Sequence, residues 1–114
     1  LCGYGDESDV TKLLKDFYVE DLGIKCVIEE PWVTLAESSE AVIALIKSGE
    51  LEAAHKIFSD IIKFKNNDGI FPTGYQYKLD ILWPDECSTW TNAAVIMAAD
   101  CLFDLTGKEK AILI

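Results

Sequence analysis

Two stretches of this sequence are apolar on every side of a helix, and they constrain the fold more than any other feature. Residues 41–46 (AVIALI) and 93–99 (AAVIMAA) contain no charged or strongly polar side chain. A helix of this kind has to be enclosed by other protein, whereas a surface helix carries a single apolar stripe. Neither stretch approaches the ~20 apolar residues needed to span a bilayer. The two stretches therefore predict two helices enclosed at the centre of a folded domain.

The first stretch belongs to a predicted pair of helices. One helix begins after Thr34, because Thr34 and Glu37 have the spacing of a capping box, and it ends at Gly49. The next extends from Glu50 to about Lys65 and has one apolar stripe, so its other side faces water. Only two residues connect these helices, which favours an antiparallel hairpin. A further helix is predicted to precede them, over residues 8–21.

The same arrangement recurs 53 positions later in the chain. Pro31 and Pro84 have this offset, and so do residues 41–43 and 94–96, which are both Ala-Val-Ile. An enclosed helix followed by an outer helix would thus be repeated about twice, with the hairpins stacked side by side. The sequence predicts an all-α fold of stacked antiparallel helical hairpins, with a short β-hairpin as an option in the loop 70–87. The polar first turns of the enclosed helices would meet at one rim.

The net charge and the cysteine spacing restrict the binding partners and the cellular compartment that we expect. Ten basic residues oppose twenty acidic ones, which gives a net charge of −10. Such a surface repels nucleic acid and anionic membranes. The four cysteines include no C-x-x-C pair, and the first residues do not resemble a signal peptide. We therefore expect a cytoplasmic protein with reduced cysteines that binds neither nucleic acid nor a membrane.

Aromatic and acidic residues concentrate near the predicted rim. Aromatic rings pack against the apolar faces of sugars, and carboxylates accept hydrogen bonds from sugar hydroxyls. The alternative is that the tryptophans pin the loop and the acidic residues complement a helix dipole. The candidate substrate-binding residues are Trp32, Asp68, Tyr75, Trp83 and Trp90.

Four carboxylates are candidates for catalysis. Glu37 and Glu40 lie one helical turn apart, and Asp85 and Glu86 precede the second enclosed helix. Together they supply the paired acid and base that glycoside hydrolysis requires. The alternative is that Glu37 caps its helix and that Glu40 is simply solvated.

A zinc site is a further alternative. Asp85 and Cys87 would provide two ligands, but a catalytic zinc normally takes three protein ligands. The single histidine, His55, lies on the outer helix, far from the predicted rim. We therefore expect no metal ion and no cofactor.

An ordered series of motifs resembles a known group of proteins. The series comprises residues 22–34 (LGIKCVIEEPWVT), 36–40 (AESSE), 67–74 (NDGIFPTG), 83–95 (WPDECSTWTNAAV) and 99–102 (ADCL). It is similar to the C-terminal third of bacterial proteins labelled prenyltransferase-like, which are similar in turn to the six-hairpin glycosidases. The resemblance covers residues 10–107 and implies an α/α toroid of about six hairpins. Residues 1–114 would then be a single unit, the C-terminal fragment of a larger toroid domain.

The resemblance leaves three functions open. The first is a carbohydrate-processing or carbohydrate-binding protein with a small-molecule or oligosaccharide ligand. The second is a prenyltransferase-like or terpenoid-cyclase-like enzyme, because Asp85-x-Cys87 is similar to the Asp-x-Cys zinc ligands of protein prenyltransferase β subunits. The third is a non-catalytic interaction module, so the sequence leaves open whether the protein is an enzyme. A toroid fragment exposes core surface, so we expect it to associate with the remainder of its own chain or to form a homodimer.

Overall fold

The described chain consists of helices and groups of very short strands. The computed structural model describes residues 7–83 and 89–104. Its helices are α1 (Glu7–Phe17), α2 (Leu35–Lys47), α3 (Leu51–Ile62) and α4 (Thr89–Phe103). Its strands are β1 (Tyr18–Val19), β2 (Gly23–Lys25), β3 (Trp32–Thr34), β4 (Gly74–Gln76) and β5 (Ile81–Trp83). Within the described residues, no helix is long and apolar enough to cross a membrane.

The strands form one antiparallel sheet in the order β1-β2-β3-β4-β5. The predicted all-α fold is therefore wrong, and the domain is mixed α/β. Strands β4 and β5 make a hairpin inside the loop 70–87, but they continue a larger sheet through the pairing of β3 with β4. Each strand has only two or three residues, which is too short for the alternation that reveals a strand in a sequence. The described residues likewise do not show a repeated hairpin or a toroid.

Helix α2 is the centre of the core. Residues 41–45 are at most 8% exposed, and the helix packs against both α3 and α4. The predicted enclosure of this helix is therefore confirmed. Helix α3 buries one stripe against it, formed by Ala54, Ile57, Phe58 and Ile61.

Helix α4 is enclosed on one side only, so the prediction that 93–99 is buried all round is wrong. Val95 and Ala98 are buried, but Ile96 is 66% exposed and Met97 is 44% exposed. Trp90, about two turns earlier in the same helix, is 71% exposed. Within the described residues, α2 and its neighbours cover only part of the apolar surface of α4, and the rest is exposed.

The first turns of α2 and α4 flank the same segment, residues 71–73. The backbone N–H of Leu35 donates to the carbonyl oxygen of Thr73 at 3.1 Å. The side-chain amide of Asn92 accepts from the N–H of Phe71 at 2.9 Å and donates to its carbonyl at 3.2 Å. The two helices therefore begin at the same end of the domain.

The predicted capping box at the start of α2 is wrong. The side chain of Thr34 makes no cap hydrogen bond, because Thr34 is the last residue of β3 and is held by the sheet. Ser38 connects the helix to the sheet instead. Its hydroxyl donates to the carbonyl of Thr34 at 2.6 Å and accepts from the N–H of Ile24 at 2.8 Å. This buried hydroxyl fixes the position of β2 and β3 on the helix.

Candidate functional site

One row of side chains crosses the sheet from Cys26, the residue after β2, to β5. The N–H of Cys26 donates to the carbonyl of Trp32 at 3.3 Å, Trp32 lies opposite Gln76, and Gln76 lies opposite Ile81. Residues directly opposite each other in an antiparallel sheet project from the same face. The register therefore places an aromatic, an amide and an aliphatic side chain next to one another, although they are far apart in sequence.

Part of this row lines a shallow groove of about 270 Å³, which we call the sheet groove. Its lining residues are Glu30, Trp32, Gln76 and Ile81. Trp32 and Gln76 are half-buried, Ile81 is 43% exposed, and Glu30 is exposed. Glu30 is held beside Trp32 by the turn before β3, where the N–H of Trp32 donates to the carbonyl of Glu30 at 2.9 Å. An indole, an aliphatic wall, an amide and a carboxylate thus share one open concavity.

The amide of Gln76 is held in one orientation. Its Oε1 accepts hydrogen bonds from the backbone N–H groups of Lys78 and Leu79, at 2.8 and 2.9 Å. These bonds stabilise the turn between β4 and β5. Because the oxygen is engaged in the turn, the NH2 group is the end of the amide that can donate to a ligand.

Glu37 lies next to the β2 end of the row. The thiol of Cys26 donates to Oε1 of Glu37 over a long Sγ to oxygen distance of 3.9 Å. Burial raises the pKa of the Cys26 thiol, and the nearby Glu37 carboxylate raises it further. Glu40 lies one turn further along α2 and is exposed. The structure therefore brings Glu37 close to the row that contains Trp32.

Three of the predicted substrate-binding residues lie outside the groove lining. Tyr75 precedes Gln76 and so projects from the opposite face of β4, where its ring lies 5.2 Å from that of Phe64. Its hydroxyl donates to Asp80 at 2.6 Å, and this bond raises the pKa of Tyr75. Asp68 is exposed in the turn after α3, and Trp90 is on the exposed side of α4.

The remaining predicted site residues lie at or beyond the end of β5. Trp83 is the last residue of that strand and pairs with Gly74. Asp85, Glu86 and Cys87 lie outside the described residues, so their proposed catalytic and zinc-binding roles stay predictions. In the part of the chain that is described, no group of three His, Cys, Asp or Glu side chains is placed to hold a metal ion.

No pattern in the sequence indicates Glu30, Gln76 and Ile81 as site residues. Glu30 belongs to an acidic pair before Pro31 that has no distinguishing pattern. Gln76 and Ile81 become neighbours of Trp32 only through the pairing of β3 with β4 and of β4 with β5. Trp32 is among the predicted residues, because aromatic and acidic side chains concentrate near the predicted rim.

Comparison with known proteins shows that this chain is similar to a protein named as a glycosidase. No family model matches the chain. The chain is 42% identical over 102 residues to a protein from Mycolicibacterium hassiacum named MMP endo-(1,4)-3-O-methyl-alpha-D-mannosidase. The match covers 90% of this chain and 28% of that relative, and it includes the groove residues, which lie in the middle of the chain.

The comparison supports the glycosidase part of the resemblance, because the relative is named as a glycosidase. Carbohydrate processing is therefore supported at a coarse level. The comparison does not favour an enzyme that acts on isoprenoids, and it does not show a toroid.

Proposed function

We propose that this chain forms part of a carbohydrate-processing enzyme and that the sheet groove holds one sugar unit of its substrate. The observation that carries the proposal is the juxtaposition of Trp32 with Gln76 and Glu30 in one concavity. The indole face can pack against the C–H groups of a pyranose ring. Glu30 can accept hydrogen bonds from hydroxyl groups, and the NH2 group of Gln76 can donate to sugar oxygens.

The relative suggests the class of substrate. Its name describes cleavage within a chain of (1,4)-linked 3-O-methyl-α-D-mannose units. We propose the same class of substrate for the protein to which this groove contributes. Since the chain spans 28% of that relative, this activity is proposed for the whole protein.

We take Glu37 as the candidate acid or base, because it is the predicted catalytic carboxylate that contacts Cys26, beside the row that contains Trp32. It extends from the first turn of α2 and contacts Cys26, whose backbone N–H donates to the carbonyl of Trp32. Glycoside hydrolysis needs two carboxyl groups on either side of the scissile bond. Glu40, Asp85 and Glu86 are the candidates for the second group.

Cleavage by the full-length protein tests the proposal. The substrate is an α-(1,4)-linked oligosaccharide of 3-O-methyl-D-mannose, and mass spectrometry follows the lengths of the products. We expect Glu37→Gln to lower kcat by roughly 10²- to 10⁴-fold, the usual contribution of a positioned acid or base. Glu52→Gln is the matched control, because Glu52 is exposed on the outer helix α3. It should retain wild-type kcat.

Two results would count against the proposal in different ways. If the wild-type protein neither cleaves nor binds the oligosaccharide, the proposed function is wrong. If the protein is active and Glu37→Gln cleaves at the wild-type rate, Glu37 is not the acid or base, and one of the other carboxylates must act.

The groove itself is tested by removing the indole. Trp32→Ala is expected to raise KM on the order of tenfold, because an aromatic face contributes both buried area and specific contacts. Leu79→Ala is the control, since Leu79 is an exposed apolar residue of the β4–β5 turn that does not line the groove. An equal rise in KM for both variants would show that the effect comes from general loosening of the hairpin.

Association with other protein remains a proposal as well. The exposed apolar side of α4, formed by Trp90, Ile96 and Met97, supports contact with the remainder of the polypeptide or with a second copy. Light scattering of the purified protein measures its mass. A monomer in which Trp90, kept as the one tryptophan of this chain by Trp32→Phe and Trp83→Phe, is readily quenched by a soluble quencher would contradict both forms of association.

A further inference from the structure

We infer that Gln76 and Ile81 make the sheet groove selective for a sugar that carries a methyl ether in place of a hydroxyl group. The inference rests on the proposed function, because it concerns the sugar unit held in the same groove. It assigns a specificity role to two residues that face each other across β4 and β5.

Methylation changes a hydroxyl group in two ways. The oxygen loses its proton, so it can accept a hydrogen bond and cannot donate one. It also gains an apolar methyl group, which is stabilised by contact with other apolar surface. A position that prefers the ether must therefore offer a donor next to an aliphatic wall. A position that prefers the free hydroxyl offers an acceptor.

Gln76 supplies the donor. An isolated glutamine can present either end of its amide, but here Oε1 accepts from the N–H groups of both Lys78 and Leu79. Turning the amide over would place its NH2 group against two backbone donors and would leave them without an acceptor. The turn between β4 and β5 therefore commits Gln76 to present donors to the groove.

Ile81 supplies the aliphatic wall. It lies directly opposite Gln76 in the β4–β5 register, and such pairs have Cβ atoms about 5 Å apart. Its side chain is 43% exposed and lines the groove. The donor of Gln76 and the aliphatic side chain of Ile81 are thus adjacent. They match a methyl ether, in which the oxygen and the methyl group are also adjacent. Glu30, the acceptor in the groove, is on the turn before β3 and is free to bind a different hydroxyl of the same sugar.

The substitution Gln76→Glu separates this role from a structural one. One carboxylate oxygen can still accept from the two backbone N–H groups of the turn, while the other oxygen replaces the NH2 group. The groove then presents an acceptor where it presented a donor. An ether oxygen is repelled by it, whereas a hydroxyl group can donate to it.

The experiment measures the binding of two tetrasaccharides to the full-length protein by calorimetry. Both are α-(1,4)-linked D-mannose, and only one is 3-O-methylated. We expect the wild-type protein to bind the methylated compound on the order of 5-fold more tightly, the effect of burying about one methyl group. Gln76→Glu should reverse the preference. Ile81→Thr should remove most of it, whereas Ile81→Val, which has nearly the same shape as threonine, should keep it.

The outcomes distinguish this inference from the proposed function. The inference is wrong if the wild-type protein binds both compounds equally. It is also wrong if Gln76→Glu and Ile81→Thr both keep the wild-type ratio of the two Kd values. In either case the proposed sugar site is unaffected. If the wild-type protein binds neither compound, the proposed function fails and the inference fails with it. The pair of Ile81 variants decides the matter if Gln76→Glu does not fold.

Discussion

Removing the carboxylate of Asp60 is expected to weaken the attachment of the sheet to α3. The side chain of Asp60 is 6% exposed and connects two elements. Its Oδ2 accepts from the hydroxyl of Tyr18, in β1, at 2.7 Å. Its Oδ1 accepts from Nζ of Lys56, in the preceding turn of α3, at 2.6 Å. Lys56 also reaches Asp21, beyond β1, at 2.8 Å.

The expected loss of stability depends on which partners of Asp60 lose a hydrogen bond. A hydrogen bond to a charged group contributes about 1.5 to 3 kcal/mol, and the half-buried Tyr18 hydroxyl loses its acceptor in Asp60→Ala. Lys56 is nearly half exposed and keeps its contact with Asp21, so its loss is small. We expect Asp60→Ala to lower the free energy of unfolding by about 2 kcal/mol. For a domain of this size that lowers Tm by roughly 10 °C.

The assay is thermal unfolding followed by circular dichroism at pH 7. Asp60→Asn should lose less, because its amide oxygen can still accept from Tyr18. Asp21→Asn is the matched control, because asparagine tolerates the φ of +64° at this position and the Asp21 side chain is largely exposed, so Tm should change little. A Tm for Asp60→Ala within 2 °C of the wild type would refute the reasoning, as would an equal loss in Asp21→Asn.

Two further predictions concern the same edge of the sheet. Gly23→Ala should cost about 2 kcal/mol or more, because Gly23 has a φ of +134° and an added Cβ would lie 2.8 Å from the Ser38 hydroxyl. Chemical denaturation measures both glycine variants. Gly49→Ala, at a φ of +82° with open space around it, should lower the free energy of unfolding by less, and an equal loss would show that crowding is unimportant. Burial and the hydrogen bond to Asp60 raise the pKa of Tyr18 above 10.0. The stability that this shift contributes is fully present below pH 10 and is lost as the pH rises through the folded pKa. Phenylalanine has no hydroxyl group to ionise. The free energy of unfolding of Tyr18→Phe should therefore fall less between pH 9 and 11 than that of the wild type.

The sequence predicts the helices well, because their signals are local. The segments expected after Thr34, from Glu50 and around residues 93–99 correspond to α2, α3 and α4. The first helix ends earlier than predicted, at Phe17. The reason is not local, because Tyr18 pairs with Ile24 in the sheet and leaves the helix.

The sheet could not be predicted in the same way. Its middle pair joins β3 to β4, and all of α2 and α3 lies between them in sequence. Strands of three residues contain no usable periodicity, so nothing local indicates the partner or the register. The sheet groove could not be predicted for the same reason. An aromatic at position 32 is visible in the sequence, whereas its neighbours Gln76 and Ile81 are determined by register alone.

The size of the sheet groove bears on how such a protein would act on a polymer. Sites that bury a drug-sized ligand have volumes of about 300 to 1,000 Å³ and surround most of its surface. The sheet groove is about 270 Å³ and is open to solvent. It can therefore contact about one sugar unit, whereas cleavage inside a chain requires several units to be held across the scissile bond. Further subsites would have to lie outside the sheet groove. The groove then contributes one specific contact, and the proportional effect of Trp32→Ala on binding should be the same for short and long oligosaccharides.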